Sequence, residues 1–163
     1  MIIKISKDIK KSSNLERGQS HRLEKKCLNL LKKNYICRCS IHRVHFPIVI
    51  ESSPTQHKLV LSNQGKSIYD IVKNGLKVKP VAINEQVNCI VDNLMRCNIR
   101  HLDMNINGKN VCINSRGTIS VIDFDVAVIG SDFKSTTLKD RCTQRGDYNQ
   151  FKQALIKTIE KLK

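Results

Sequence analysis

Arg100-His101-Leu102-Asp103-Met104-Asn105-Ile106-Asn107-Gly108-Lys109-Asn110 and, a hairpin later, Val121-Ile122-Asp123-Phe124-Asp125 are the stretches on which the reading of this chain turns. The first puts a carboxylate and several carboxamides in a polar loop. The second puts two carboxylates where a strand ends. Between them, the apolar runs 111–113 and 119–122 flank Asn114-Ser115-Arg116-Gly117, a hairpin signal. Phosphoryl transfer uses such a set: one carboxylate orients the hydroxyl that attacks, while a second carboxylate and an Asn oxygen hold magnesium, a hard cation that takes oxygen ligands. Asp103 and Asp123 both adjoin apolar segments, where a carboxylate without a partner is costly. Turn aspartates are the plainer alternative, and Asp125 reads as a strand-end cap.

The elements around this core alternate between strand and helix. Residues 2–6 read as a short β-branched strand. Over residues 19–33, Leu23, Cys27, Leu30 and Leu31 share one face, and the lysines lie mostly outside it, which predicts an amphipathic helix. Residues 45–50 and 58–61 predict two strands joined by a turn at Ser52-Ser53-Pro54. Asn63-Gln64-Gly65 breaks the second of these, and Ser67 is placed to cap a short helix. Pro80 is expected to open the next helix, whose apolar residues Ile83, Val87, Ile90, Val91 and Leu94 give the clearest helical period in the chain. Phe151, Leu155, Ile159 and Leu162 predict a closing amphipathic helix.

In these motifs the chain resembles the protein-kinase-like superfamily, whose H-x-D-x-x-x-x-N loop is followed by a hairpin and a D-F-G or D-F-D metal motif. The hinge segment and the H-x-D-M and I-D-F-D pair look like small kinase-like proteins of large DNA viruses and phages. The resemblance covers most of residues 2–130. It implies an α+β, reduced two-lobed fold, with a small β-rich lobe over about 1–61, a hinge at about 62–66 and a short helical lobe over 67–163. It further implies ATP and Mg2+ as cofactors, with transfer of the γ-phosphoryl group to a hydroxyl on a protein Ser or Thr or on a small molecule. By the same resemblance Asp103 matches the catalytic aspartate, Asn110 the metal-binding asparagine and Asp123 the main magnesium ligand. Lys4 matches the phosphate-pairing lysine, and Glu24 its ion-pair partner, with Glu16 a competitor. Leu61 and Asn63 fall where adenine would be met. Taken alone, Lys4 is a solvated edge lysine and Glu24 a solvated helix charge; their order along the chain gives them these roles.

Three departures accompany the resemblance. Asn110 follows Asp103 by two residues more than the family spacing, which leaves Asn105 and Asn107 as alternative ligands. The sequence begins at the lysine strand, without the glycine-rich hairpin that covers the phosphates, and nothing after Asp125 matches an activation segment. A catalytically impaired pseudokinase, or a basic module that binds protein or nucleic acid, is therefore the alternative function. Gly146-Asp147-Tyr148 resembles a remnant of the helix whose aspartate braces the catalytic loop.

Composition bounds these readings. The 163 residues suffice for one compact domain or two small lobes. Hydrophobic residues at 40% and charged residues at 26% place the chain with globular proteins. The net charge of +15 favours an anionic partner, although no alternation of aromatic and basic residues points to stacking on single strands. No apolar run is long enough to enter a membrane, and lysines interrupt the N-terminus, so neither insertion nor secretion is expected. Seven irregularly spaced cysteines fit a reducing cytoplasm, that of a host cell if the chain is viral, and are expected to be thiols. Cys37-x-Cys39-x-x-His42-x-x-His45 holds four soft metal ligands, but its spacing does not fit a zinc finger, so Cys37 and Cys39 are expected to tolerate replacement by Ser.

Overall fold

The computed structural model describes residues 2–5, 14–53, 58–130 and 147–162, with side chains from Arg22 onward. The fold is of the α+β class: among the described residues, four helices and small antiparallel sheets lie around one hydrophobic core.

Three strands form the first sheet, in the order β1 (Ile2–Ile5), β3 (Lys58–Leu61), β2 (Val49–Ser53), all antiparallel. Helix α1 (Asn14–Asn34) packs on β2 and β3. Its buried stripe is Glu24, Cys27, Leu28 and Leu31, spaced i, i+3, i+4, i+7, so a carboxylate occupies one place in an otherwise apolar row. The helix begins five residues before the expected start.

The strand expected over 45–50 begins instead at Val49 and runs through Ser53, so Ser52 and Ser53 are strand residues and not part of a turn; Pro54 lies outside the described residues. The physical reason lies in Pro47 and His45. Proline has no N–H for a ladder, and the backbone of His45 already accepts a hydrogen bond from the N–H of Val121 at 2.9 Å. Residues 45 and 46 therefore serve the core: His45 is fully buried, and the Phe46 ring meets Phe124 edge to face at 6.0 Å. The register of β2 slips between Val49 and Glu51, which leaves Ile50 exposed.

Beyond residues 62–65, β4 (Lys66–Ser67) pairs with β6 (Val111–Ile113), which forms the expected hairpin with β7 (Ile119–Val121). Helix α2 (Ile68–Lys73) starts where expected: Ser67 Oγ accepts from Asp70 N–H at 3.1 Å and donates to Asp70 Oδ2 at 2.6 Å. Helix α3 (Ile83–Arg96) does not start at Pro80. Its first flanking residue is Ala82, in the left-handed region at φ 42° with no side-chain cap, so Pro80 belongs to the preceding loop. Strand β5 (Ile99–Arg100) pairs with β8 (Val128–Ile129), which takes Arg100 out of the expected loop. Helix α4 (Tyr148–Glu160) closes the described chain, with Phe151, Leu155 and Ile159 buried against the core as their spacing predicts.

Gln86 fastens α3 to the hairpin. It is fully buried, its Oε1 accepts from Ile119 N–H at 2.7 Å, and its Nε2 donates to the carbonyls of Gly117, at 3.0 Å, and Val81. Gln86→Leu keeps the volume but strands two backbone groups, Ile119 N–H and Val81 O, while Gly117 O keeps its bond from Val81 N–H at 3.3 Å; each buried group left unpaired costs about 1–3 kcal/mol. A loss of at least about 2 kcal/mol in urea unfolding is expected; a variant within 1 kcal/mol of wild type, roughly the worth of one net hydrogen bond, would mean that water replaces the amide.

Candidate active site

The loop at 101–110 is held from several sides. His101 Nε2 donates to Ile122 O at 2.8 Å, and Ile122 N–H donates to Asn110 O at 3.0 Å, so both polar groups of the Ile122 peptide are bound to the loop. Asp123, the next residue, is thereby positioned beside it. Gly108 lies at φ 81° with α2 against it: its carbonyl accepts from Tyr69 N–H at 3.1 Å, and a Cβ there would come within 3.0 Å of Ile68. On the far side Thr158 of α4 packs against the loop: its Oγ1 donates to Ala154 O at 2.7 Å and stands 3.4 Å from Asn105 O. Asp147 caps its own helix by accepting from Asn149 N–H at 2.6 Å. Among the described residues, then, bracing of the loop by α4 runs through Thr158 and Phe151, whose ring lies 6.0 Å from His101.

Within the loop, Asn110 is the residue joined to Asp103. Its Nδ2 donates to Asp103 Oδ2 at 2.7 Å and to Asp103 O at 2.9 Å. Spending the amide nitrogen this way leaves the carboxamide oxygen as the remaining acceptor. Asn105 and Asn107 are occupied differently: their Oδ1 atoms accept from the N–H groups of Asn107, at 3.1 Å, and Lys109, at 3.0 Å. These are Asx turns, which use the side chain to fold the backbone locally. The longer spacing from Asp103 to Asn110 is therefore taken up by two side-chain-closed turns, and the contact between Asp103 and Asn110 is kept.

Two residues here adopt positive φ without being glycine, Leu102 at 58° and Asp123 at 70°. A left-handed leucine costs of order 1–3 kcal/mol and persists only where its surroundings impose it. The imposed geometry falls at the residue before Asp103 and at Asp123 itself. Asp103, partly buried, lines a cavity of about 310 Å3 together with Met104, Asn105, Gln150, Phe151 and Ala154.

Glu24 reaches this site from α1. It is 2% exposed, and its Oε1 accepts from the N–H of Phe124 at 3.4 Å, a long bond that joins the helix to the residue after Asp123. The ring of Phe124 is fully buried and meets His101 at 4.8 Å edge to face. A continuous column of rings thus runs from Phe151 through His101 and Phe124 to Phe46 and on to Tyr35. Aromatic contacts of this kind add about 0.5–1.5 kcal/mol each beyond area burial. Glu24, Asp103, Asn110 and Asp123 are linked through neighbouring backbone and side-chain bonds, although 100 residues separate Glu24 from Phe124.

Lys4 lies on β1 opposite Leu59 in the register; its side chain, like that of Glu16, is outside the described residues. So is Gly146. Leu61 is buried at the end of β3, whereas Asn63 is exposed and closes the following turn by accepting from Gly65 N–H at 2.9 Å. That turn is also fixed from below: Gln64 Oε1 accepts from Ser120 Oγ at 2.8 Å, and Ser62 Oγ accepts from Ile48 N–H at 2.8 Å.

One cluster was missed by sequence reasoning. The sulfurs of Cys37, Cys39 and Cys89 lie within 4.8 Å of one another, with Cys89 contributed by α3. His42, included in the linear pattern, is exposed at φ 48°, whereas His45 stands with Nε2 3.3 Å from Cys39 Sγ. The available signal was on α3: Gln86, Cys89 and Asn93, at i, i+3 and i+7, put a polar row on the helix face that also carries its core residues.

A scan against protein-family models and a search of the curated proteins return no match for this chain. Among the described residues, no helix is long and apolar enough to cross a membrane.

Proposed function

We propose that the protein is an ATP- and Mg2+-dependent phosphotransferase with a reduced protein-kinase-like fold. The observation that carries the proposal is the pairing of Asp103 with Asn110 at 2.7 Å in a loop that also binds both polar groups of Ile122. It joins the Asp103 carboxylate to the Asn110 carboxamide and holds the backbone just before Asp123 against the same loop. Nucleotide would lie between the β1-β3-β2 sheet and the helices, with its adenine against Leu61 and the turn at Asn63.

In this reading Asp123 and the Asn110 oxygen would hold magnesium, which would supply positive charge against the phosphates. Lys4 pairs with the phosphates, and Glu24 orients Lys4. Asp103 accepts a hydrogen bond from the acceptor hydroxyl and directs its lone pair along the line of attack on the γ-phosphorus. The hydroxyl oxygen forms the new P–O bond while the bond to the β-phosphate oxygen breaks; the hydroxyl proton passes to Asp103 and ADP leaves. Positioning and charge neutralisation supply the rate enhancement. The net charge of +15 adds attraction for the polyanionic substrate.

The test is thermal unfolding with ATP, with and without magnesium, alongside ATP turnover. ATP at a hundred times its Kd adds about 2.7 kcal/mol of stability, and each kcal/mol raises Tm by about 2–4 °C in a chain of this size. A shift of several degrees that requires magnesium is expected. Absence of any such shift at millimolar ATP would refute the enzyme and favour a basic binding module.

A further inference from the structure

The segment from Tyr35 to Ile48 joins α1 to β2 without a helix or strand of its own. Such a length of irregular backbone inside a compact fold needs fastening. The fastenings are to α3 and β7. Ile36 N–H donates to Asn93 Oδ1 and Ile36 O accepts from Asn93 Nδ2, both at 2.9 Å, while Ser40 N–H donates to Glu85 Oε2 at 2.8 Å. At the centre of these bonds are three thiols and one imidazole. Cys37 Sγ is 3.5 Å from Cys39 Sγ, the Cys89 sulfur is within 4.8 Å of both, and Cys39 Sγ is 3.3 Å from His45 Nε2.

We propose that Cys37, Cys39, Cys89 and His45 form a structural zinc site that ties this segment to α3. Zinc takes tetrahedral Cys3His sets, with Zn–S near 2.3 Å and Zn–N near 2.0–2.1 Å. Those lengths place the ligand atoms of a tetrahedron roughly 3.5–3.8 Å apart. The Cys37–Cys39 and Cys39–His45 separations, 3.5 and 3.3 Å, are already close to that, and the Cys89 sulfur lies within 4.8 Å of the other two; His45 Nε2 stands farther than 4.8 Å from the Cys37 and Cys89 sulfurs, so metal binding has to draw those two thiols towards it.

His45 is prepared for the part. Its Nδ1 lies 2.7 Å from Ile119 O, an acceptor only, so Nδ1 carries the proton and Nε2 presents its lone pair towards Cys39. A ligating histidine is held this way, its other ring N–H donated to a backbone carbonyl. Burial also lowers the pKa of His45 and favours the neutral ring that a metal requires. Cysteine ligates as the thiolate, so binding releases thiol protons and none from the imidazole; Zn2+ with three thiolates carries a net charge of −1. Three soft sulfur donors and a nitrogen in a nearly closed, buried setting favour zinc over magnesium or calcium, which take oxygen.

The experiment uses the full chain, purified reduced, and Zn2+ alone as the probe. Expected are about one tightly held zinc per chain, protons released on binding near neutral pH, and a Tm that falls when a chelator removes the metal. Cys37→Ser, at a half-buried position, should weaken zinc binding at least about tenfold, in line with the loss of a ligand, whereas His42→Ala should leave it unchanged. Should Cys37→Ser fail to fold, Co2+ in the wild type decides: intense visible bands with thiolate charge transfer are expected, and the pale spectrum of an octahedral ion overturns the site. Sub-stoichiometric zinc in the wild type, or zinc held equally by Cys37→Ser and Cys89→Ser, also overturns it. Zinc lost in His42→Ala but kept in Cys89→Ser would move the site to the linear motif and refute the set proposed.

Discussion

Asp103→Asn is expected to reduce phosphate transfer by about 10³-fold, within the range supplied by a positioned general base, while leaving stabilisation by ATP with magnesium nearly intact. Asp123→Asn is expected to do the reverse to binding: it removes one anionic oxygen from the metal, so the magnesium-dependent part of the Tm shift falls and transfer falls with it. The contrast follows from where each carboxylate is tied. Asp103 is bonded to Asn110 and lines a cavity, so it is placed for an acceptor and acts on the transition state more than on bound ATP. Asp123 follows the Ile122 peptide that the loop clamps on both sides, so its position is fixed before any ligand arrives. An asparagine at 103 can still accept from Asn110 Nδ2 through its own oxygen, so the loop has no reason to unfold. Turnover and melting scans on wild type and both variants decide. If Asp103→Asn lost the shift and Asp123→Asn kept it, the two roles would have to be exchanged.

What the sequence revealed and what it hid follow from the range of the interactions involved. The hairpin at 111–121 and the Ser67 cap are local: turn residues and a short-range side-chain acceptor dictate them, and both stand as read. Asp103 and Asn110 lie seven residues apart, a spacing that leaves Asn105, Asn107 and Asn110 open as partners in the sequence; in the structure the side chains of Asn105 and Asn107 close the intervening turns and Asn110 joins Asp103. The misread places are those governed from far away. His45 and Phe46 look like strand residues by composition, but bonds to Ile119 and Val121 and the ring of Phe124 claim them. Ala82 takes a left-handed conformation where Pro80 suggested a regular helix start. Cys89 could not be grouped with Cys37 from spacing, because α3 delivers it from more than fifty residues away. Glu24 was legible only by analogy, although a carboxylate in the same row as Cys27, Leu28 and Leu31 is itself a sign that burial will demand a partner.

Gly65→Ala is expected to be the most damaging Gly→Ala change among the described glycines. Gly65 follows the turn that leads from the first sheet into β4, and it sits at φ 99°, a conformation L side chains avoid. A Cβ there would lie 2.2 Å from Ile113 O and 2.5 Å from Ile113 C, backbone atoms fixed by the β4–β6 pairing, so no side chain can rotate out of the way. Backbone strain of order 1–3 kcal/mol and overpacking of a further 1–3 kcal/mol give a loss of about 4 kcal/mol. Gly75→Ala is the control. Gly75 also has positive φ, 60°, but a Cβ there would meet nothing within 4 Å. It therefore carries the conformational cost alone, about 1–2 kcal/mol for a left-handed L-residue, partly offset by about 0.4–1 kcal/mol from a stiffer unfolded chain. Urea unfolding of the two variants beside wild type separates strain from collision, since only Gly65 has both. Equal losses for the two would show that the Lys66–Ser67 strand yields without cost, and that the turn carrying Asn63 is not rigidly fixed to the hairpin.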